Sequence, residues 1–106
     1  MASASRRVKE SPRPQGRNER LSYSVATTPW GGGGSSPVVT IYDVTDGLPG
    51  ENVTSTVSTG SATIAGDIIT TPPIHSLTPD HRYRVEIQWN KLSDVLESWF
   101  ELLAEY

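Results

Sequence analysis

The sequence contains no cysteine, which excludes both a disulfide framework and a thiolate metal site. Small secreted domains usually depend on disulfides, so this absence argues against that class. No apolar run approaches the roughly 20 residues of a membrane-spanning helix, and the N-terminus lacks the apolar core of a signal peptide. The 106 residues suffice for one domain with a modest core. The sequence therefore predicts a soluble protein made in a reducing cytoplasm.

Positive charge is almost absent from the body of the chain and concentrated at its start. Residues 1–20 carry six cations against two acids, a net charge of +4. The remaining 86 residues hold three cations against ten acids, a net charge of −7. The six N-terminal cations are Arg6, Arg7, Lys9, Arg13, Arg17 and Arg20. The pattern indicates a basic arm joined to an acidic body.

Residues 1–20 have little apolar material for a core. Val8 is the one sizeable aliphatic residue, and Pro12, Pro14 and Gly16 disfavour regular structure. Such a segment cannot bury enough surface to offset its ordering entropy, so its role must come from what it contacts, unless it is a tail without a role. The arm has no aromatic residue for stacking on bases, and its cations are spaced apart. We therefore expect its six cations to bind protein, and nucleic acid is the less favoured partner.

From Leu21 onward, short segments rich in Thr, Val, Ile and Ser alternate with turn signals, which is typical of a small all-β domain. Strands are predicted over 21–28, 37–45 and 53–59, with a glycine-rich loop over 30–37 and a turn over 46–52. That loop is interpreted as a flexible crossing or as a close approach of the backbone to a neighbour. The segment SATIAGDIITT predicts a tight hairpin at Gly66-Asp67.

The stretch LTPDHRYRVEIQW, residues 77–89, predicts a corner followed by a half-buried strand. Its large residues from Tyr83 to Trp89 alternate with polar ones, so that one face is buried. The spacing of Leu77, Pro79 and Tyr83 resembles the E–F corner of fibronectin type III and related immunoglobulin-like domains. In that family the tyrosine hydroxyl returns to the backbone upstream, and its role is stability.

The segment KLSDVLESWFELLAEY fits two structures. Its apolar residues have helical spacing, and Ser93 could open a helix. A strand is favoured, because a sandwich needs a last strand to pair with the one before it. In that strand Trp99 and Leu103 point outward, which predicts a contact surface.

No constellation of residues predicts catalysis, a metal site, a cofactor or a small-molecule substrate. His75 and His81 are interpreted as turn residues without further ligands near them in sequence. The glycine run lacks the lysine of a phosphate-binding loop, and no nucleophile motif occurs. The sequence therefore predicts a protein that is not an enzyme.

Taken together, VTIYDVTDG, the hairpin with its prolines, LTPDHRYRVEIQW and an aromatic last strand resemble a known family. They are similar to small immunoglobulin-like structural proteins of tailed-bacteriophage virions. The resemblance covers residues 21–106 and implies an immunoglobulin-like β-sandwich of about seven strands, preceded by the extended arm of residues 1–20. It also implies a capsid decoration (cement) protein, or a neck or tail adaptor, that is made in the host cytoplasm and located in the virion. Expected partners are the major capsid or neck and tail proteins, with multiple copies in the assembly and no membrane.

Two other functions fit parts of the sequence. A nucleic-acid-associated accessory protein could use the basic arm on DNA. A carbohydrate-binding module could stack sugars on Trp30 and Trp99, although nothing in the sequence brings these two residues together.

Overall fold

The computed structural model describes residues 12–106, and these form an all-β fold of two sheets. The five-stranded sheet has the order β1-β8-β7-β3-β4 and the three-stranded sheet the order β2-β6-β5. The strands are β1 (Arg13–Gly16), β2 (Ser24–Ala26), β3 (Ser35–Asp43), β4 (Glu51–Asn52), β5 (Thr63–Ala65), β6 (Ile68–Thr70), β7 (Arg82–Lys91) and β8 (Asp94–Glu105). A 3₁₀ turn spans Thr28–Trp30, and a short helix, α1, spans Thr54–Val57. These residues thus form eight strands, where the sequence predicts about seven.

The core lies between the two sheets and takes residues from both. Strand β7 alternates buried and outward residues along its length, as its sequence predicts. Trp89, Ile87 and Phe100 of the five-stranded sheet are buried, as are Val25 and Ile69 of the three-stranded one. The opposite face of the five-stranded sheet, which we call the long sheet, is therefore turned toward solvent.

The C-terminal segment is a strand, which confirms the favoured alternative over the helix. Strand β8 pairs antiparallel with β7 along ten register positions, from Arg82 opposite Leu103 to Lys91 opposite Asp94. Its buried residues alternate with outward ones, and Leu102 and Ala104 lie in the core. The apolar residues with helical spacing are mostly exposed in this strand, whereas pairing with β7 satisfies the backbone and buries Phe100, Leu102 and Ala104.

The predicted strand over 53–59 is wrong, because Thr54–Val57 is helical. The side chain of Asn52 accepts hydrogen bonds from the backbone N–H and the hydroxyl of Thr54, at 3.1 and 2.7 Å. The hydroxyl of Ser58 donates to the carbonyl of Thr54 at 2.7 Å. Side chains of this type compete with a sheet ladder for the backbone, so a segment rich in Ser and Thr turns instead of extending.

The hairpin predicted at Gly66-Asp67 joins β5 to β6, with Ala65 opposite Ile68. Gly66 has a φ of +59°, which a two-residue loop of this kind requires. At the predicted corner, the hydroxyl of Tyr83 accepts a hydrogen bond of 2.9 Å from the backbone N–H of Thr78. Leu77 and Tyr83 are buried, and Pro79 is half-buried. The three residues lie in the turn that leads into β7 and at the start of that strand.

The predicted glycine-rich loop ends earlier than expected, since β3 begins at Ser35. Gly34 lies against the buried indole of Trp89, where a β-carbon would stand 2.5 Å from Cδ1 of that ring. Of the two interpretations of the glycine run, this agrees with a close approach of the backbone to a neighbour. The run therefore contributes to packing at this position.

Candidate protein-binding surface

The outward face of the five-stranded sheet carries a cluster of aromatic and charged side chains. The register places Tyr42, Arg84 and Glu101 in one row across β3, β7 and β8. Thr40, Glu86 and Trp99 form the adjacent row. Their sequence neighbours are buried, except Asp43, which is half-buried, so these side chains face outward. We call these six residues the outer-face cluster.

Arg84 is fixed at the centre of the outer-face cluster. Its guanidinium carbon lies 4.0 Å from the ring centroid of Trp99, and its Nε donates to Oε2 of Glu86 at 2.8 Å. Stacking on an indole and bonding to a carboxylate both restrict the side chain before any partner arrives. Tyr, Trp and Arg are the residues most enriched at the energetic centres of protein interfaces. The arrangement suits protein recognition.

Beside Arg84 the surface forms a depression of about 300 Å³. Tyr42, Leu48, Pro49, Arg84 and Glu86 line it. Leu48 is 69% exposed, so most of its side chain is accessible in this depression. The depression adds apolar surface beside the outer-face cluster, and a partner could cover this surface.

Of the two outward residues predicted on β8, Trp99 belongs to this cluster and Leu103 lies at its border. Leu103 is 38% exposed and stands opposite Arg82 on one side and Pro14 of β1 on the other. Both therefore lie on the same face of the sheet, as the alternation along β8 predicts.

The predicted cations of the arm divide into two groups. Arg6, Arg7 and Lys9 lie outside the described residues. Arg13 stands over the ring of Tyr23 at 5.5 Å and Arg17 over the ring of Tyr106 at 5.8 Å, while Arg20 is exposed. The structure thus places two of the cations against aromatic rings of the body.

The second half of the predicted arm is part of the sheet. Strand β1 pairs in parallel with β8, from Arg13 opposite Leu102 to Gly16 opposite Glu105. The N–H of Arg17 continues this ladder to the carbonyl of Glu105 at 2.7 Å. The arm is therefore anchored along the edge of the sheet that carries the outer-face cluster.

Gln15 fastens β1 to the core. Its side chain is 1% exposed, and its Nε2 donates to the carbonyls of Ile74 and Glu19 at 2.7 and 3.1 Å. Its Oε1 accepts a 2.6 Å hydrogen bond from the hydroxyl of Tyr23. Every hydrogen of the amide nitrogen and one lone pair of the oxygen are thus used. The sequence analysis missed this residue, because a single glutamine between proline and glycine gives no signal of burial.

A second polar cluster lies at the end of β3. Nδ1 of His81 lies 2.7 Å from Oδ2 of Asp43, and the other carboxylate oxygen accepts from the backbone N–H and hydroxyl of Thr45 at 3.0 and 2.6 Å. Burial raises the pKa of Asp43, but the hydrogen bonds from Thr45 and His81 together lower it by more than burial raises it. The pKa of Asp43 therefore lies below its ordinary value. Sequence reasoning missed this pair, because the two residues are 38 positions apart.

The lowered pKa of Asp43 predicts a loss of stability in acid. A carboxyl whose pKa is lower in the folded state stabilises the fold above its unfolded pKa, and this contribution disappears as pH falls through the folded pKa. We expect Asp43→Asn to lower the free energy of unfolding at pH 7 by about 1 kcal/mol. The variant should therefore unfold at a lower urea concentration than the wild type. The difference should shrink steadily as the pH is lowered below the ordinary pKa of an aspartate.

Urea titrations of both proteins from pH 2 to pH 7 measure this difference. Asp46→Asn is the matched control, since Asp46 is exposed and changes charge by the same amount. A stability difference between wild type and Asp43→Asn that is constant across this range would contradict the assignment.

Within residues 12–106 no group of three or more metal-ligating side chains occurs. In the same part of the chain, no helix has the length and apolar character needed to cross a membrane. Comparisons with protein-family models, with curated proteins and with solved structures find no match for this chain.

Proposed function

We propose that this chain is a non-enzymatic structural protein of a phage particle, an immunoglobulin-like capsid decoration or cement protein. It binds neighbouring capsid subunits through the basic arm and the outer face of the long sheet. The protein is made in the host cytoplasm and acts in the virion, in several copies. A neck or tail adaptor of the same virion is the alternative, and it would use the same surfaces.

The strand order supports the immunoglobulin-like part of this proposal. The sheet β2-β6-β5 has the order B-E-D of such domains, and β8-β7-β3-β4 has the order G-F-C-C′. The bond from Thr78 to the hydroxyl of Tyr83 corresponds to the corner tyrosine of that family. The phage role itself comes from the resemblance of the sequence.

The position of β1 is the observation that carries the binding role. Pro14 stands opposite Leu103, so the anchored end of the arm borders the face that carries Arg84 and Trp99. A partner seated on this face is within reach of the residues that precede β1, since each extended residue spans about 3.3 Å. A fixed aromatic and arginine surface beside a basic segment supports protein binding more than catalysis.

Incorporation into particles tests the proposal. The segment Arg13–Gly16 belongs to the fold, so the arm is tested by charge and not by deletion of residues 1–20. We expect the triple change Arg6→Gln, Arg7→Gln and Lys9→Gln to lower incorporation at least about tenfold, which is a loss of about 1.4 kcal/mol in binding. Lys91→Gln removes a cation outside the arm and should leave incorporation unchanged.

The outer face is tested separately with Leu103→Glu, which should also lower incorporation. Val95→Glu is its control, because Val95 is exposed on the same face of the same strand but four residues before Trp99, away from β1. Wild-type incorporation of both the triple arm variant and Leu103→Glu would refute the proposal. Imaging of labelled protein on the particle separates a capsid from a neck or tail position.

Binding to DNA is the competing use of the arm. Sequence-independent binding whose affinity falls steeply with the logarithm of salt concentration would indicate a nucleic-acid accessory protein instead. We expect no such binding at low salt.

A further inference from the structure

One edge of β3 is only partly paired. The N–H of Ile41 donates to the hydroxyl of Thr54 at 2.9 Å, and the carbonyl of Ile41 accepts from the N–H of Val53 at 2.9 Å. Both groups therefore point away from β7 and toward the side where β4 lies. Pairing on this side begins at Asp43, opposite Glu51, and ends at Ile41.

The next backbone groups on this edge belong to Val39. Successive residues of an antiparallel strand direct their N–H and C=O groups to opposite sides, so those of Val39 point the same way as those of Ile41. The chain does not follow β3 that far, because it turns into α1 after Val53. Among residues 12–106, no hydrogen bond reaches the backbone of Val39 from this side. One donor and one acceptor are therefore available on this edge.

A groove of about 240 Å³ runs beside this edge. Three residues of β3 line it together with residues that follow β4, and the lining is Pro37, Val38, Val39, Thr54, Ser58, Gly60, Ser61, Ala62 and Pro72. The side chains that line it are small, and none of them is charged. Native proteins protect sheet edges with charged residues, proline, bulges or a covering loop. This edge has no charged residue in the groove, but Pro37 and the bulge between Ser35 and Val38 limit pairing at one end.

We propose that this groove binds one extended, uncharged segment of a partner protein, which adds as a strand beside β3 in line with β4. The segment is extended because only an extended backbone can exchange hydrogen bonds with Val39. It is uncharged because a charge in the groove would lose water without gaining a partner.

The walls of the groove favour a single strand over the edge of a second copy. Residues outside β3, from Thr54 to Pro72, line the same space, so β3 is not an open edge here. One strand needs about 4.8 Å in the pairing direction, whereas the edge of another sheet brings its whole layer. The site is thus distinct from the outer-face cluster and from the arm.

Amide exchange of the ¹⁵N-labelled full chain tests this assignment. The probe is an acetylated and amidated Ser-Val-Ser-Val-Ser peptide, and Ser-Glu-Ser-Glu-Ser is its charged counterpart. With nine-tenths of the protein bound, the exchange of the Val39 amide should slow about tenfold, since only the unbound fraction exchanges. The charged peptide should leave the exchange rate unchanged.

Two variants locate the site. Ala62→Glu places a charge in the groove and should abolish the slowing, whereas Thr63→Glu, on the exposed outward face of β5, should retain it. The proposal is wrong if the neutral peptide leaves Val39 exchange unchanged in the wild type, or if Ala62→Glu responds as the wild type does. It is also wrong if Val39 is protected without peptide and loses that protection on dilution, because a second copy would then be the occupant.

Discussion

Replacing Gln15 with leucine is expected to lower the free energy of unfolding by about 3 kcal/mol. The substitution keeps an apolar stem of similar size but removes the amide. The hydroxyl of Tyr23 then loses its acceptor, and the carbonyl of Ile74 keeps only the hydrogen bond from the N–H of Leu21. A buried polar group left without a hydrogen bond costs roughly 1–3 kcal/mol, and the bond lost at Ile74 adds about 1 kcal/mol.

Urea unfolding of the full chain measures this loss. Gln88→Leu is the matched control, because the same chemical change is made at an exposed position of β7 and should cost less than about 0.5 kcal/mol. The amide of Arg17, which bonds to Glu105 across β1 and β8, should exchange faster in Gln15→Leu. A stability loss below about 1 kcal/mol, or unchanged exchange at Arg17, would show that β1 is held by other contacts.

Gly34→Ala should cost about 2–3 kcal/mol, which is large for the addition of one methyl group. The new β-carbon would lie 2.5 Å from Cδ1 and 3.2 Å from Nε1 of Trp89. Trp89 is 1% exposed, so its ring cannot move into solvent to relieve the overlap. Either the start of β3 or the core around this ring must shift.

Gly33→Ala is the control for the backbone, and Trp89→Leu is the rescue. At Gly33 a β-carbon has nothing within 4 Å, so only its φ of +71° opposes the change, at about 1 kcal/mol. Leucine has no planar ring, so its two Cδ methyl groups can turn away from Gly34. It also removes the indole N–H, which has no hydrogen-bond partner within residues 12–106. In a double-mutant cycle the two changes should cost less together than their sum, and simple additivity would contradict the overlap.

The elements with strong period-two patterns were predictable from sequence. Strand β7 and the hairpin at Gly66 follow directly from alternation and turn chemistry. The outward positions of Trp99 and Leu103 follow from the same alternation along β8. These predictions succeed because each depends on local spacing alone.

The features that the sequence did not predict depend on contacts between distant residues. Strand β1 contains two breakers and a glutamine, and it forms because β8 offers an edge and the core offers partners to Gln15. Trp99 was predicted to face outward, but its stacking with Arg84 depends on the register of β7 against β8. The contact of Asp43 with His81 depends in the same way on how β3 ends.

The pairing of β1 with β8 has a consequence for the order of folding. Arg13 and Leu102 are separated by 102 − 13 = 89 positions, whereas β7 and β8 are joined between Lys91 and Asp94. Contacts close in sequence form fast, and the entropy of closing a long loop delays distant ones. We therefore expect the hairpin of β7 and β8 to form first and β1 to join it late. On this order, the surface that Arg13–Gly16 border exists before these residues pair with β8.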